Sequence, residues 1–600
     1  MVAAVHFRRW SAPVAGRVLG LVLACLAAVA GRADVANPDS AVVLIADTAI
    51  TTVALGERGA RVAVAIDLRS RAARTVTARV DTIVIDPHGH ESGHLSQVVD
   101  LAPGEWTVAR KDVQVANARP WSPANPVRYR AVTRVSVGGR AVDQVTTPFG
   151  LRTVRASPDG GLEFNGAPLP LFGVSLSRAS LFGAIGGPAV EARRVTLLKE
   201  AGFNVVRVSG EVPDDFLEAC DQLGLLVLMD LLDPDDLRAP GGDGVQAARG
   251  AMRRSETRVR QHRNRPSVLA WSVARGQREF PVPYREDLIG EWVARIHDLG
   301  PDLLVSGEVA VAVPGERLPP VSVIEVSGEA APAVQRDVVR AGRVVFRFEP
   351  PGTDPFVAWR RAREPGVAAS FTPAEDDFSL IGARRPSSWY REIVWGEGEA
   401  LRVWTDPAAA RHDTGTARNP AGSRGRSSVE VFSRYDSVRL YVDDRLVGEA
   451  PTLAAQAFKA RFDLEDQGGS IRVVGLRRGL EIETVVLSPP GEPRGLRVRA
   501  LTPELRADGV DTAFVEVTLV DADGQRVPES RPVRIQVLSG DVEAALLGEE
   551  EAAATGAATR LDAGRGVLLV RGTARTGPAR LSIITPGLPS GAVELNVVPP

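Results

Sequence analysis

The stretch Arg263-Asn264-Arg265-Pro266-Ser267, followed by the apolar run Val268–Ser272, reads as a helix end, a proline-initiated turn and a short strand that stops abruptly. In a (β/α)8 barrel, the residues just past the C-terminal end of a strand are where chemistry sits. Here those residues are Ala274, Arg275 and Gly276, a guanidinium with no carboxylate, and the next acid is Glu279. Two other apolar runs end on acids: Leu225–Met229 leads into Asp230, and Val344–Phe348 leads into Glu349. A carboxyl at a strand end can attack as a nucleophile or carry a proton, and its surroundings decide which. Arg275 would favour a bound carboxylate or an ion pair with Asp230 or Glu349. It would also keep a neighbouring carboxyl ionised, the wrong state for a general acid. His88, His90 and His94 are close enough to ligate a metal. No Cys or carboxylate pattern completes such a site, and the stretch reads first as a polar hairpin tip, so neither metal nor cofactor is expected.

The elements that must position these residues alternate. Residues 38–152 carry short runs rich in Val, Thr and Ile, separated by Gly, Asp-Pro and Pro-Gly turns, the pattern of an all-β sandwich. Residues 153–400 alternate apolar strands with helical stretches. Strands are expected near Leu171–Val174, Asn204–Val208, Leu225–Met229, Val268–Ser272, Leu303–Val305, Val321–Val326, Val344–Phe348 and Gly366–Ser370. Helices are expected at Glu191–Ala201, Phe216–Leu223, Val245–His262, Glu286–Leu299 and Ala331–Arg340. Eight such units make a TIM barrel. After a polar, Gly-rich linker (Arg411–Ser427), residues 428–488 read as a β-sandwich, and after the linker Pro489–Pro493 residues 494–600 read as another. The fold class is thus multidomain α/β plus all-β: one sandwich, a (β/α)8 barrel and two C-terminal β-sandwich modules. Asp508, Asp511, Asp521 and Asp523 fit hairpin turns better than a Ca2+ site.

The motifs resemble glycoside hydrolase family 2, the β-galactosidase and β-glucuronidase group. Trp121-Ser122-Pro123 and Phe149-Gly150-Leu151-Arg152 resemble the close of its immunoglobulin-like domain. Asn165-Gly166 with Gly173-Val174, Leu197-Lys199-Gly202-Asn204-Arg207, and Cys220-Asp221-Gly224-Val227 resemble its barrel entry. Arg263–Ser272 resembles its R-N-H-P-S strand, W-S-x-G-N-E, whose closing Glu is the family's general acid/base. Gly276 stands at that Glu, Arg275 at the Asn that contacts the sugar, and Ser177 and Ser209-Gly210 stand where the family has His residues. The resemblance implies Glu349 as the possible nucleophile, and Arg207, Asp230, Trp271 and Arg275 as positions that contact substrate. It also identifies residues 428–488 with the sandwich that follows the barrel in family members, while residues 494–600 look like an invasin-type immunoglobulin-like module. The last two modules are expected to act as spacers or adhesive supports.

Net charge is −2, with 72 basic and 74 acidic residues well mixed, so no nucleic-acid partner is expected. Arg8, Arg9 and Arg17 precede the apolar run Val18–Ala30, which reads as a signal peptide over residues 1–33 and is too short to span a bilayer. Val22-Leu23-Ala24-Cys25 is a loose lipoprotein box, leaving open a lipid anchor at Cys25. The expected location is outside the cytoplasm: periplasmic, extracellular or an outer-envelope lipoprotein. Cys220 then has no disulfide partner and reads as a buried small hydrophobe. Retaining glycoside hydrolysis needs two carboxyls about 5–5.5 Å apart. With Gly276 at the acid position, the expectation is a degenerate hydrolase that acts on or binds carbohydrate. The alternatives are an active β-glycosidase with a relocated acid and a structural or adhesive envelope protein.

Overall fold

The computed structural model describes residues 42–156, 161–176, 182, 187–210, 212–231, 244–273, 285–300, 302–309, 321–327, 344–364, 367–379, 382–396, 398–405, 427–464, 469–547 and 560–599. The expected signal peptide, Cys25, Ser177, Ala274, Arg275, Gly276, Glu279 and the expected helix Ala331–Arg340 lie outside them. No helix among the described residues is long and apolar enough to cross a membrane.

The first sandwich packs a sheet of Val43–Gly56, Gly59–Ser70 and Trp106–Ala116 against a sheet ordered Glu91–Leu101, Val76–Ile85, Tyr129–Val137, Arg140–Phe149. Alternate residues point inward, so Val62, Val64, Ile66 and Leu68 meet Val80, Val84, Ala131 and Val135 in one core. Glu91–Leu101 and Arg140–Phe149 each mix polar residues with their buried ones, which hides them among the apolar runs. The His stretch is the hairpin between Val76–Ile85 and Glu91–Leu101; the Asp86 carboxylate accepts the backbone N–H groups of His88 and His90 and closes the turn. His94 lies within the second strand.

Eight parallel strands close a barrel: Leu171–Ser175, Val205–Val208, Leu226–Asp230, Val268–Ser272, Leu304–Val309, Val323–Ser327, Val344–Phe348 and Val367–Pro373. The first pairs with the eighth through Leu171 and Ala369. Each expected strand is present within a few residues of its expected ends. Parallel strands are covered on both faces, which is why they read as continuous apolar runs. Val205, Leu226, Leu228, Val323, Val344, Phe346 and Phe371 fill the interior above a floor of Trp121, Leu162 and Phe164. Their neighbours Val206, Val227, Met229, Trp271, Ile324 and Val345 pack outward against the helices. Gly173 is needed where it stands, since a Cβ there would lie 2.3 Å from the Phe371 ring. The described helices are Pro188–Glu200, Asp214–Leu223, Gly244–His262, Arg285–Leu299, Pro355–Arg361 and Pro386–Trp395.

The next sandwich begins earlier than expected. Leu401–Thr405 pairs antiparallel with Ser427–Ser433, so the domain starts at about residue 401 rather than 428. Asp443 and Asp444 both take positive φ (47° and 62°), the backbone of a two-residue hairpin turn that usually carries Asn-Gly. The last module is two four-stranded sheets. It docks on the barrel instead of hanging as a detached spacer: Phe514 packs 4.9 Å from Phe182 between ring centroids, inside the barrel's own core layer. Its Asp508 and Asp521 carboxylates accept backbone N–H groups of their own turns. Cys220 is buried, and burial pushes its thiol up, away from reactivity.

Candidate active site at the barrel mouth

The motif residues that match the family build the scaffold. Asn264 accepts the Ile50 N–H at 2.9 Å and donates to the Thr48 carbonyl at 2.7 Å, tying the first sandwich to the turn before the fourth barrel strand. Arg265, which stands where the R-N-H-P-S motif has His, bonds Asp221 at 2.9 Å and Asp214 at 3.2 Å on the helix Asp214–Leu223, and Ser267 donates to the same Asp221. Trp121 is fully buried and donates its indole N–H to the Asp221 carbonyl. Arg152 donates to the Val268 carbonyl. None of these side chains reaches the C-terminal ends of the strands, so their retention records the fold and not the chemistry.

At those C-terminal ends the interior holds a charged cluster. Arg207, from the second strand, donates through Nε to Asp230 of the third at 2.9 and 3.2 Å. Its Nη2 lies 2.9 Å from Oε2 of Glu325, from the sixth strand. The guanidinium sits 4.1 Å from the centre of the Phe348 ring, on the seventh strand. Ser209 donates to Asp230, and Ser306 donates to Glu325 at 2.6 Å. The side chains of Asp230 and Glu325 are 0% exposed and that of Arg207 is 6% exposed. Burial pushes the Glu325 carboxyl up; Arg207 opposes this and Asp230 reinforces it. Among the described residues the Arg207 guanidinium thus faces two buried carboxyls, and burial weakens the acidity of Glu325.

Glu349 takes a different place. Its side chain is 0% exposed, held by Arg347 Nε at 2.9 Å and by Arg361 Nη1 at 2.6 Å. Arg361 lies on the helix Pro355–Arg361, and Ser370, on the neighbouring strand, is 3.4 Å away. Phe346 and Phe348 face the barrel interior, so Arg347 and Glu349 follow the outward alternation. The structure therefore does not bring Glu349 to the Arg207 cluster. Trp271 is 1% exposed and packs in the outer core with Trp292, Ile296 and Val305, and so it offers no ring face to a ligand. Of the positions expected to contact substrate, Arg207 and Asp230 come together, Trp271 does not join them, and Arg275 lies outside the described residues.

Glu325 was missed from sequence. It is a single acid inside the apolar run Val321–Val326, and only barrel closure puts the sixth strand opposite the second. An acid at an inward position of a barrel strand is the signal that would have found it.

The comparisons with known proteins agree with the motifs. The family model "Glycosyl hydrolases family 2" matches residues 43–152, "Glycoside hydrolase family 2 C-terminal domain 5" matches residues 496–594, and "Domain of unknown function (DUF4982)" matches residues 425–483. The last module, read as invasin-type, is thus similar to a C-terminal domain that accompanies family 2 barrels. A beta-galactosidase of Thermoanaerobacter pseudethanolicus is 22% identical over 547 residues, covering 80% of this chain and 68% of its own length. A beta-glucuronidase of Formosa agariphila is 21% identical over 524 residues, covering 79% of this chain and 52% of its own. This chain therefore spans about two thirds of the first relative and half of the second. Among solved structures, a glycosyl hydrolase family 2 member from Bacteroides cellulosilyticus superposes with a TM-score of 0.83 at 21% identity, covering 94% of this chain and 79% of that one. The fold, the ordered motifs and the matched domains together make this chain a member of glycoside hydrolase family 2.

Proposed function

We propose that this protein acts on or binds carbohydrate through a family 2 barrel whose catalytic mouth has been rebuilt, so that ordinary retaining hydrolysis is lost. The observation that carries this reading is the ion pair crossing the barrel. Arg207 joins Asp230 and Glu325 with all three side chains almost wholly buried. A retaining site needs two carboxyls facing each other across an open space that holds the sugar. Among the described residues Asp230 and Glu325 are instead tied to the Arg207 guanidinium, and Gly276 stands where the family carries its acid/base Glu. Relatives named beta-galactosidase and beta-glucuronidase support β-linked sugars as the ligand class. The N-terminal sequence supports export, with Cys25 as a possible point of lipid attachment.

The test is a glycan array probed with the purified mature chain, followed by calorimetry on the best ligand. Saturable binding of a defined β-glycan supports the reading. Binding to no glycan would leave the structural or adhesive alternative.

A second reading, an active β-glycosidase with a relocated acid, draws on Glu325. Its burial favours the protonated form, the state a general acid must hold before it acts. Glu349 serves this reading poorly as a nucleophile, since two arginines hold it on the outer face of its strand.

A further inference from the structure

A cleft of about 360 Å³ lies at the other end of the barrel, between the first sandwich and the N-terminal ends of the fourth and fifth strands. Arg152, Arg155, Arg263 and Arg265 line it, and Asp302, at the exposed rim, is the only acidic residue among the lining residues. Arg263 is 8% exposed; its Nη1 donates to the Leu299 carbonyl at 2.7 Å and its Nη2 to Asp47 at 2.8 Å. Arg265 spends its two terminal nitrogens on Asp221, Glu218 and Asp214. Arg152 spends Nη2 on the Val268 carbonyl, and no carboxylate touches it among the described residues. Three guanidinium N–H groups around this one cleft, Arg152 Nη1, Arg263 Nε and Arg265 Nε, are buried with no acceptor among the described residues. A buried donor without an acceptor is destabilising, more so when it is charged, and such groups are rare in folded proteins. Burial also pulls the Arg152 guanidinium down to about 10, with Asp221 as the only charge opposing it. That Asp221 is already bonded to Arg265 and Ser267.

We propose that this cleft is a binding site for a small oxyanion, a carboxylate, sulfate or phosphate group, received by Arg152 with Arg263 and Arg265 beside it and Arg155 at the rim. Guanidinium donors match the oxygens of such groups in geometry and charge. The volume exceeds that of a bare ion and falls in the range of small-molecule sites, about 300–1,000 Å³. Thr51, Thr52 and Thr153 offer hydroxyl partners to the rest of the ligand, which points to an organic anion with hydroxyl groups of its own. The site sits at the opposite end of the barrel from Arg207 and does not depend on what happens at the mouth.

The experiment is isothermal titration of the full mature chain with inorganic phosphate, sodium sulfate and glucuronate, with glucose as the neutral control and sodium chloride holding ionic strength constant. At least one of the oxyanions is expected to bind saturably while glucose does not. Arg152→Met is expected to weaken that binding at least about tenfold, the loss of one charge-assisted contact. Arg155→Glu, at an exposed position that plays no part in the core, is expected to weaken it several-fold and keeps the test open if Arg152→Met folds poorly. Binding of no oxyanion below about 10 mM, or equal binding by wild type and Arg155→Glu, would overturn the assignment. Failure here leaves the reading of the barrel mouth untouched, because the glycan and hydrolysis assays report on the other end.

Discussion

Arg207 and Glu325 meet at 2.9 Å from the second and sixth barrel strands, which lie on opposite sides of an eight-stranded ring. The pair therefore spans the lumen, and with Asp230 and the Phe348 ring it occupies the layer where the strands end. The interior is packed with side chains from floor to this layer, so any sugar would have to sit above it.

Among the described residues, the cluster's cation is Arg207. Arg207→Met leaves two buried carboxyls without their counter-charge, a change that costs about 3–5 kcal/mol when a buried pair is broken. In this variant the buried Glu325 carboxyl loses the guanidinium that opposes the effect of burial, so its folded pKa lies further above its unfolded one. The variant's stability is then highest at acid pH and falls as pH rises through the folded values. Urea denaturation at pH 5 and pH 8 should show a larger loss at pH 8. An equal loss at both would mean that the carboxyls do not hold protons.

The sandwich–barrel junction rests on close approach. A Cβ at Gly150 would lie 2.5 Å from the Pro266 side chain and 3.0 Å from that of Trp121. Gly150→Ala should therefore destabilise the protein by about 1–3 kcal/mol, the usual cost of overpacking. Chemical denaturation followed by tryptophan fluorescence measures this, and Trp121 sits at the point of contact.

His262, at the end of the helix Gly244–His262, gives the fold a pH dependence. Burial pulls its imidazole down to about 4, with Arg265 and Arg258 acting the same way and Asp214 opposing. The folded state thus keeps His262 neutral while the unfolded chain protonates it near its ordinary 6.5. Between those values the unfolded state binds more protons, so this contribution is fully present above about 6.5 and is lost as pH falls towards 4. His262→Gln should flatten the stability profile across that window relative to wild type and leave it unchanged above pH 7.

Much of the fold was legible in the sequence, for physical reasons visible in particular elements. The barrel strands are buried on both faces, so Leu226–Asp230 and Val344–Phe348 stand out as short apolar runs. Asn264 and Gly150 were legible as motifs because each has a geometric duty that few residue types can perform. Strand Leu401–Thr405 was not legible: its five residues gain a partner only across the linker, at Ser427–Ser433. The site was legible in part. Arg207 and Asp230 were expected at the mouth, but the direction in which Glu349 points follows from strand alternation and from Arg361, a partner on a helix that was not foreseen. The resemblance implied Trp271 as a substrate contact, yet one residue of alternation turns it into the outer core.

The central claim is that the mouth has lost ordinary retaining hydrolysis. Its most direct test is hydrolysis of a panel of aryl β-glycosides by the purified protein, beside Glu325→Gln and Glu349→Gln. Activated aryl leaving groups need little protonation, so a surviving nucleophile would still reveal itself. The expected result is no turnover above the buffer rate on any sugar, unchanged in both variants. Turnover that disappears in Glu325→Gln or Glu349→Gln would contradict the account and establish an active glycosidase.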